Sequence, residues 1–335
     1  VIRFLVLGIG NAQVDLFRYL KTLANIEIHA VSYNAEGRAF EMADKFELIN
    51  IADRDQVLSY VIREKIDYIY SVGSDIAMPT ASWVAEKANL PHYVNAQTAE
   101  ICNNKHELRA ALKGSSLNLA FTYTSNVDGL DWNTYPAMLK PVDSQGQRGV
   151  FKITSRQELE MHFSKALSFS RSGKVIIEEF VDGPEYSINL FLQPVKILLS
   201  QFSEREVWNP FPGGITTSHK LPCSAVSAEE EIGVLTALSE CLASIGLTDG
   251  PAYCQMKVGS NGSKVIEITP RLDGCHMWRA IDFFCGVNLL ELTINGLLNP
   301  DVPSQSGLAR KQLAQTTELV CLSEKPGVVV KYAGL

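Results

Sequence analysis

The chain has 335 residues, 46% of them hydrophobic, and a formal charge of -7, enough to bury a substantial core in two or three folding units. That charge argues against a nucleic-acid backbone as the main partner, since phosphate binding on that scale needs clustered cations on a positive face. The seven cysteines contain no CxxC pair and suggest neither a disulfide framework nor a zinc ribbon; with no apolar run long enough to span a bilayer, a cytoplasmic protein without a membrane partner is expected.

From the N-terminus, short apolar runs alternate with helical periodicities, the pattern of a βαβ layer. Strands are predicted at residues 4–7, 26–31, 47–51 and 68–72. Between them Leu16, Leu20 and Leu23 fall at i, i+4 and i+7, and Leu58, Val61 and Ile62 at i, i+3 and i+4, so each segment lays one stripe on an open parallel sheet. Gly8-Ile9-Gly10 closes the first strand, but the third glycine of a dinucleotide fingerprint is missing. The second strand ends in Ser32-Tyr33-Asn34, with no acid for a ribose, so a tight strand-to-helix turn is the expected role. Ser74 and Asp75 follow the fourth strand, at the end of the sheet where open α/β folds bind ligands. Both a substrate contact and a helix N-cap fit them, the cap being favoured.

The character changes after Leu90-Pro91. A helix over 103–112 carries Lys105, and a strand over 136–140 ends in Lys140, followed by the Gly-containing loop Ser144-Gln145-Gly146-Gln147-Arg148-Gly149. Glycines there let backbone approach phosphates closely. For Lys105 a solvated helix face is the competing reading, and for Arg148 a surface-loop arginine. Ser155 and Glu158 stand at capping-box spacing before a helix with Leu159, Phe163, Ala166 and Leu167 on one face. A buried strand then runs into Glu178-Glu179-Phe180-Val181, and Glu185 follows Asp182-Gly183-Pro184. The aromatic, turn-rich stretch 208–214 reads either as a specificity loop or as irregular surface. Two β-rich runs flank Asn261-Gly262, a hairpin signal. Alternation puts Gln255, Glu267 and Thr269 on comparable faces, with Arg271 close behind. Cys275 beside His276 reads as a buried cysteine rather than a nucleophilic dyad.

Taken together, the lysine with its glycine loop, the seven-residue step from Glu178 to Glu185, and the twelve-residue step from Gln255 to Glu267 with Arg271 behind it resemble the ATP-grasp superfamily. The nearest branch is the carbamoyl-phosphate-synthetase-like, carboxylate-amine ligase one. The resemblance implies an α/β chain with a pre-ATP-grasp N-terminal domain over 1–95 and an ATP-grasp domain of two α+β lobes over 96–300. Its mobile lobe would span about 113–181, and 301–335 would form a small C-terminal lobe or a truncated segment.

It further implies ATP and Mg2+ (or Mn2+) as cofactors. Lys105, Lys140 and the flap residues Ser144, Gly146, Arg148 and Gly149 would meet the phosphates. Glu178 would accept from the adenine amine, the backbone of Glu179, Phe180 and Val181 would read the ring edge, and Glu185 would hold the ribose. Gln255, Glu267 and Thr269 would be the metal ligands. Gln at the first place is known in the carbamoyl-phosphate-synthetase branch, whereas the Thr269 hydroxyl is a poorer ligand than the family's usual Asn, leaving Glu267 the one carboxylate. Arg271, with Lys140 and Glu267, would be catalytic. Asp75, His276 and Arg279 would hold substrate. The activity implied is ligation of a small-molecule carboxylate to an amine through an acyl phosphate, leaving a homodimer open. A bicarbonate-activating or carbamoyl-phosphate-synthetase-like enzyme and a non-catalytic nucleotide-binding homologue are the alternatives.

Overall fold

The computed structural model describes residues 1–144, 146–194, 196–208, 215–300 and 316–321. Most of the segment 301–335, the loop 209–214 and Gln145 therefore lie outside the described residues. The first unit comprises β1 (Ile2–Leu7), α1 (Val14–Thr22), β2 (Ile26–Ser32), β3 (Lys45–Leu48), α2 (Arg54–Glu64), β4 (Tyr68–Tyr70) and α3 (Ala77–Ala88). Its strands pair in parallel in the order β3-β2-β1-β4. The third strand starts earlier than the apolar pattern suggested, because it is an edge strand and needs only one buried face. Neither Ser74 nor Asp75 caps α3, whose N-cap position is Ile76 with no side-chain bond; the Asp75 carboxylate is held elsewhere.

Next come α4 (Ala96–Asn103) and α5 (Lys105–Ala111). These correct the single helix expected over 103–112. The Asn104 side chain accepts from the His106 and Glu107 N–H groups, the N-cap arrangement that lets a chain stop one helix and start another.

A small antiparallel sheet follows, made of β5 (Phe121–Thr124), β6 (Ala137–Pro141), β7 (Phe151–Ile153) and β8 (Val175–Glu179), in the order β5-β8-β6-β7 and backed by α6 (Arg156–Leu167). Ser155 caps α6 by accepting from Glu158 N–H. Trp132, Leu139, Ile153, Leu159, Phe163 and Ile177 give this lobe a core of its own.

The large sheet holds β9 (Glu185–Gln193), β10 (Lys196–Trp208), β11 (Ile215–Leu221), β12 (Gly250–Gly259), β13 (Gly262–Thr269) and β14 (Thr317–Val320), in the order β13-β12-β9-β10-β11-β14. One face packs on α4, α5 and α7 (Ala228–Ser244) through Leu108, Leu190, Leu238 and Ile268. Phe191 and Leu199 share a second core with the N-terminal sheet, α8 (Met277–Cys285) and α9 (Leu289–Leu298). The first unit and the large sheet are thus one packed body.

Among the described residues no single helix is long and apolar enough to cross a membrane. Only α8 and α9 taken together pass by length and composition, across a 104° bend, and both contribute to that shared core.

Two glycines fix close approaches that the site depends on. A Cβ on Gly183 would sit 1.5 Å from the Val258 carbonyl oxygen, so the turn before β9 presses directly on the end of β12. Gly73, at φ +64, would clash with Ala12 and Gly274; only glycine brings the end of the parallel sheet against the loop that follows Arg271.

Candidate active site

A cleft of about 1090 Å³ opens between the small lobe and the large sheet. Met138, Lys140, Phe151 and Lys152 line one side, Glu185, Arg205, Gln255, Lys257 and Glu267 the other, and residues 179–184 close its back. The lysine at the end of β6 is nearly buried. Its Nζ lies 2.7 Å from Glu178 Oε2, while Arg109 Nε donates to Glu178 Oε1 at 2.7 Å. Burial alone would raise the Glu178 carboxyl, but the two cations outweigh it and hold the group at about 2. Glu178 therefore corrects its expected role. It lies behind the cleft wall with both oxygens occupied, positioning Lys140 instead of facing an adenine amine.

Lys105 opens α5, and its Nζ donates to the Ser144 carbonyl at 2.8 Å, which ties helix to flap. Burial lowers its pKa, partly offset by Glu267. Ser144, Gly146 and Gln147 face the cleft. Arg148 and Gly149 do not line it: Arg148 is exposed, and Gly149 packs against Phe169 and Pro141.

Along the back, Glu179 N–H is taken by the Ala120 carbonyl, while Glu179, Phe180 and Val181 all reach the cleft. Lys152 Nζ stands 3.9 Å from the Phe180 ring centre and Lys257 Nζ 5.4 Å, both within cation–π range. Glu185 sits directly across the ladder from Arg205 and is ion-paired to it. Gln255 Nε2 donates to Glu185 at 3.1 Å, and Lys257 Nζ lies 3.7 Å away. Sequence reasoning missed Arg109, Lys152, Arg205 and Lys257. For Lys257 a signal existed, since it lies two residues beyond Gln255 and so on the same strand face.

On β12 and β13, Gln255 is paired directly with Glu267, and the register then skips Ile266, the extra residue of a β-bulge. The Glu267 carboxylate has no hydrogen-bond or ion-pair partner among the described residues. Burial, then the nearby Asp75 carboxylate, raises its pKa, against Lys105 and Arg271. Thr269 departs from the expected ligand set. It is 2% exposed, with Oγ1 3.5 Å from the Tyr253 carbonyl, and the cleft ends before it. Among the described residues no group of three or more His, Cys, Asp or Glu could hold a metal alone. Glu267 with Gln255 nevertheless fits a magnesium ion that draws its other ligands from phosphates and water, because both are hard-oxygen side chains and the carboxylate lacks a partner.

Arg271 is buried, with Nε 2.8 Å and Nη2 2.5 Å from Asp75 Oδ1. Asp75 reaches the cleft; Arg271 stands behind it. His276 and Arg279 correct their expectation more fully. His276 Nδ1 lies 3.0 Å and Arg279 Nε 2.6 Å from Asp15 Oδ2, and Trp278 Nε1 donates to the same oxygen at 3.0 Å. They pin α8 to α1 through Asp15, and neither lines the cleft.

Asp15 is buried, which opposes ionisation, yet the bonds from His276, Arg279 and Trp278 hold its carboxyl far below the usual range. A depressed carboxyl contributes stability that is present above the unfolded value of about 4 and is lost as pH falls through the folded one. Asp15→Asn is expected to lose about 1–3 kcal/mol at neutral pH, the lower part of that range because the Arg279 side chain is 55% exposed. In urea titrations the gap between variant and parent should narrow only below pH of about 4; a gap already closed at pH 6 contradicts this.

Residues 133–278 match the family described as ATP-grasp domain. The formate-dependent phosphoribosylglycinamide formyltransferase of Prochlorococcus marinus (strain MIT 9515) is 23% identical over 99% of this chain and 84% of its own length. Among solved structures, L-amino acid ligase from Bacillus licheniformis superposes with a TM-score of 0.77 at 18% identity, over 95% of this chain and 79% of that one. The biotin carboxylase domain of Hydrogenobacter thermophilus 2-oxoglutarate carboxylase, in complex with MgADP, ADP and bicarbonate, gives 0.74 at 14% identity, over 92% and 72%.

Proposed function

We propose that this chain, which carries an ATP-grasp domain, is an ATP-dependent ligase. It would join a small-molecule carboxylate to an amine through an acyl phosphate, releasing ADP and phosphate. The observation that carries this reading is the opposition, within one cleft, of the Lys105 and Lys140 cations to the unpartnered Glu267 beside Gln255, with residues 179–185 spanning the back.

Magnesium, or manganese, bound by Glu267 and Gln255 would draw charge from the phosphate oxygens. The chain's own residues account for the rest. Lys140 and Lys105 place two cations along the polyphosphate, and the flap at Ser144 and Gly146 brings backbone close to it. A substrate carboxylate oxygen attacks the γ-phosphorus as the bond to the ADP oxygen breaks; Arg271, fixed by Asp75, adds positive potential beside the transferred group. The amine lone pair then attacks the acyl carbon, phosphate leaves with the bonding pair, and the amine proton passes to solvent. Positioning and electrostatics suffice, as in phosphoryl transfer generally.

A panel of carboxylates and amines scored by ADP release tests the reading, which is abandoned if no pair stimulates release above ATP alone. A chain that binds nucleotide without turning it over is the second reading, favoured by the burial of Thr269 away from the cleft.

The back of the cleft sets nucleotide choice. Its contacts to a ring edge come from backbone at 179–181, whose donors and acceptors are fixed in type. ATP is expected to bind at least about tenfold more tightly than GTP, the worth of one or two hydrogen bonds. Calorimetry with magnesium present checks it; equal affinities would remove the adenine assignment.

A further inference from the structure

Arg109 lies on α5, four residues beyond Lys105, and is 1% exposed. Its Nε donates to Glu178 Oε1 at 2.7 Å and its Nη2 to the Ile266 carbonyl at 2.8 Å. That carbonyl belongs to the β-bulge residue next to Glu267. A guanidinium buried this deeply is expensive to hold unless its charge is matched and used.

Counting charges shows the use. Glu178 stands between two cations, Arg109 and Lys140. With Arg109 absent, Glu178 and Lys140 would neutralise each other, and the cleft would present a dipole where a polyphosphate needs a cation. With Arg109 present the three groups sum to one positive charge, and Lys140 is the member on the cleft wall.

We propose that Arg109 is a positioning residue for the nucleotide: it cancels Glu178, so that the carboxylate fixes Lys140 in place without consuming its charge. By binding the bulge carbonyl, it also sets the Lys140 strand at a constant distance from Glu267. The inference rests on the nucleotide reading of the cleft. The low pKa of Glu178, held at about 2 by both cations against its burial, agrees with a carboxylate that stays ionised.

The test is calorimetry of magnesium-ATP and of adenosine with the parent, Arg109→Met, Arg109→Lys, and Arg109→Met combined with Glu178→Gln. Removing one net charge beside the phosphates is expected to weaken ATP binding at least about tenfold in Arg109→Met. Adenosine, which has no phosphate, should change by less than about threefold on the same argument. Arg109→Lys keeps the charge but loses the fork that reaches both Glu178 and the Ile266 carbonyl, so its ATP affinity should fall between those of the parent and Arg109→Met.

The double variant is the decisive arm. Deleting the Glu178 charge frees Lys140 again, so ATP affinity should recover by at least about fivefold over Arg109→Met, on the same charge argument. A merely structural arginine predicts no recovery, because the double variant loses two buried partners. A folded double variant that binds ATP no better than Arg109→Met overturns the proposal, as does Arg109→Met binding ATP like the parent. Should Arg109→Met fail to fold, the double variant and Arg109→Lys are compared with the parent directly; a loss beyond about a hundredfold in either, with adenosine binding intact, overturns it too. A parent that binds no ATP sinks the nucleotide reading and this inference together, whereas a binding parent without charge rescue sinks this inference alone.

Discussion

Lys140→Met is expected to lower ATP turnover by at least about a hundredfold while leaving the fold in place. The side chain lies at the cleft wall with Nζ on Glu178, and a cation aimed at developing phosphate charge contributes on that scale when removed. Methionine keeps the aliphatic stem, so the packing of β6 is preserved. Glu178 keeps Arg109, so no uncompensated charge is buried and the cost in stability should be about 1–2 kcal/mol. Phosphate release together with a urea midpoint separates the two effects. Unchanged turnover would dismiss Lys140 as the phosphate lysine; collapse of the fold would make its role structural.

Glu267→Gln carries the second large effect. As a carboxylate without a partner, set directly across the ladder from Gln255, Glu267 is the natural seat of the metal, and its loss is expected to abolish phosphate transfer. ATP, still held by the back wall and the lysines, should bind with affinity reduced about tenfold. Because burial and Asp75 raise the Glu267 carboxyl above its ordinary value, protons compete with magnesium earlier than at an ordinary carboxylate. The magnesium requirement of the parent should therefore rise as pH falls toward that raised value, and Glu267→Gln should lose this dependence. Thr269→Asn is expected to leave the requirement unchanged, since position 269 is buried beside the Tyr253 carbonyl. Magnesium titrations of ATP binding at several pH values decide the matter, and a fully active Glu267→Gln would remove the metal assignment.

Much of the fold is legible in the sequence because its signals are local. The parallel sheet announced itself through short apolar runs separated by amphipathic helices, and the hairpin of β12 and β13 through its turn residues. Lys105, Lys140, Ser144, Gly146, Glu185, Gln255 and Glu267 do come together in one cleft, as their order and spacing suggested. What spacing could not show is which way a charged group faces once its partners are near. Glu178 and Glu179 are neighbours in sequence, yet one lies behind the wall between two cations and the other reaches the cleft. His276 and Arg279 stand in a loop rich in functional residue types, but Asp15, more than 260 residues away in sequence, takes their donors. Arg205 meets Glu185 only through the register of β9 and β10, which no local pattern specifies. Alternation from Glu267 to Thr269 is intact, since Thr269 stands opposite Tyr253 as Glu267 stands opposite Gln255, but Thr269 lies beyond the end of the cleft, which no local pattern specifies.

The separate core of the small lobe has a mechanical consequence. Because the apolar contacts of β5 to β8 and α6 close on themselves, swinging this lobe away from the large sheet exposes no shared hydrophobic interior. What resists the swing near the cleft is polar: Lys105 to the Val142 and Ser144 carbonyls and Arg109 to Glu178. A handful of such bonds is worth on the order of a few kcal/mol. That is the scale on which a ligand touching both sides can invert an open-to-closed ratio, so the polyphosphate that is consumed in the reaction would also be the latch that shuts the chamber around it.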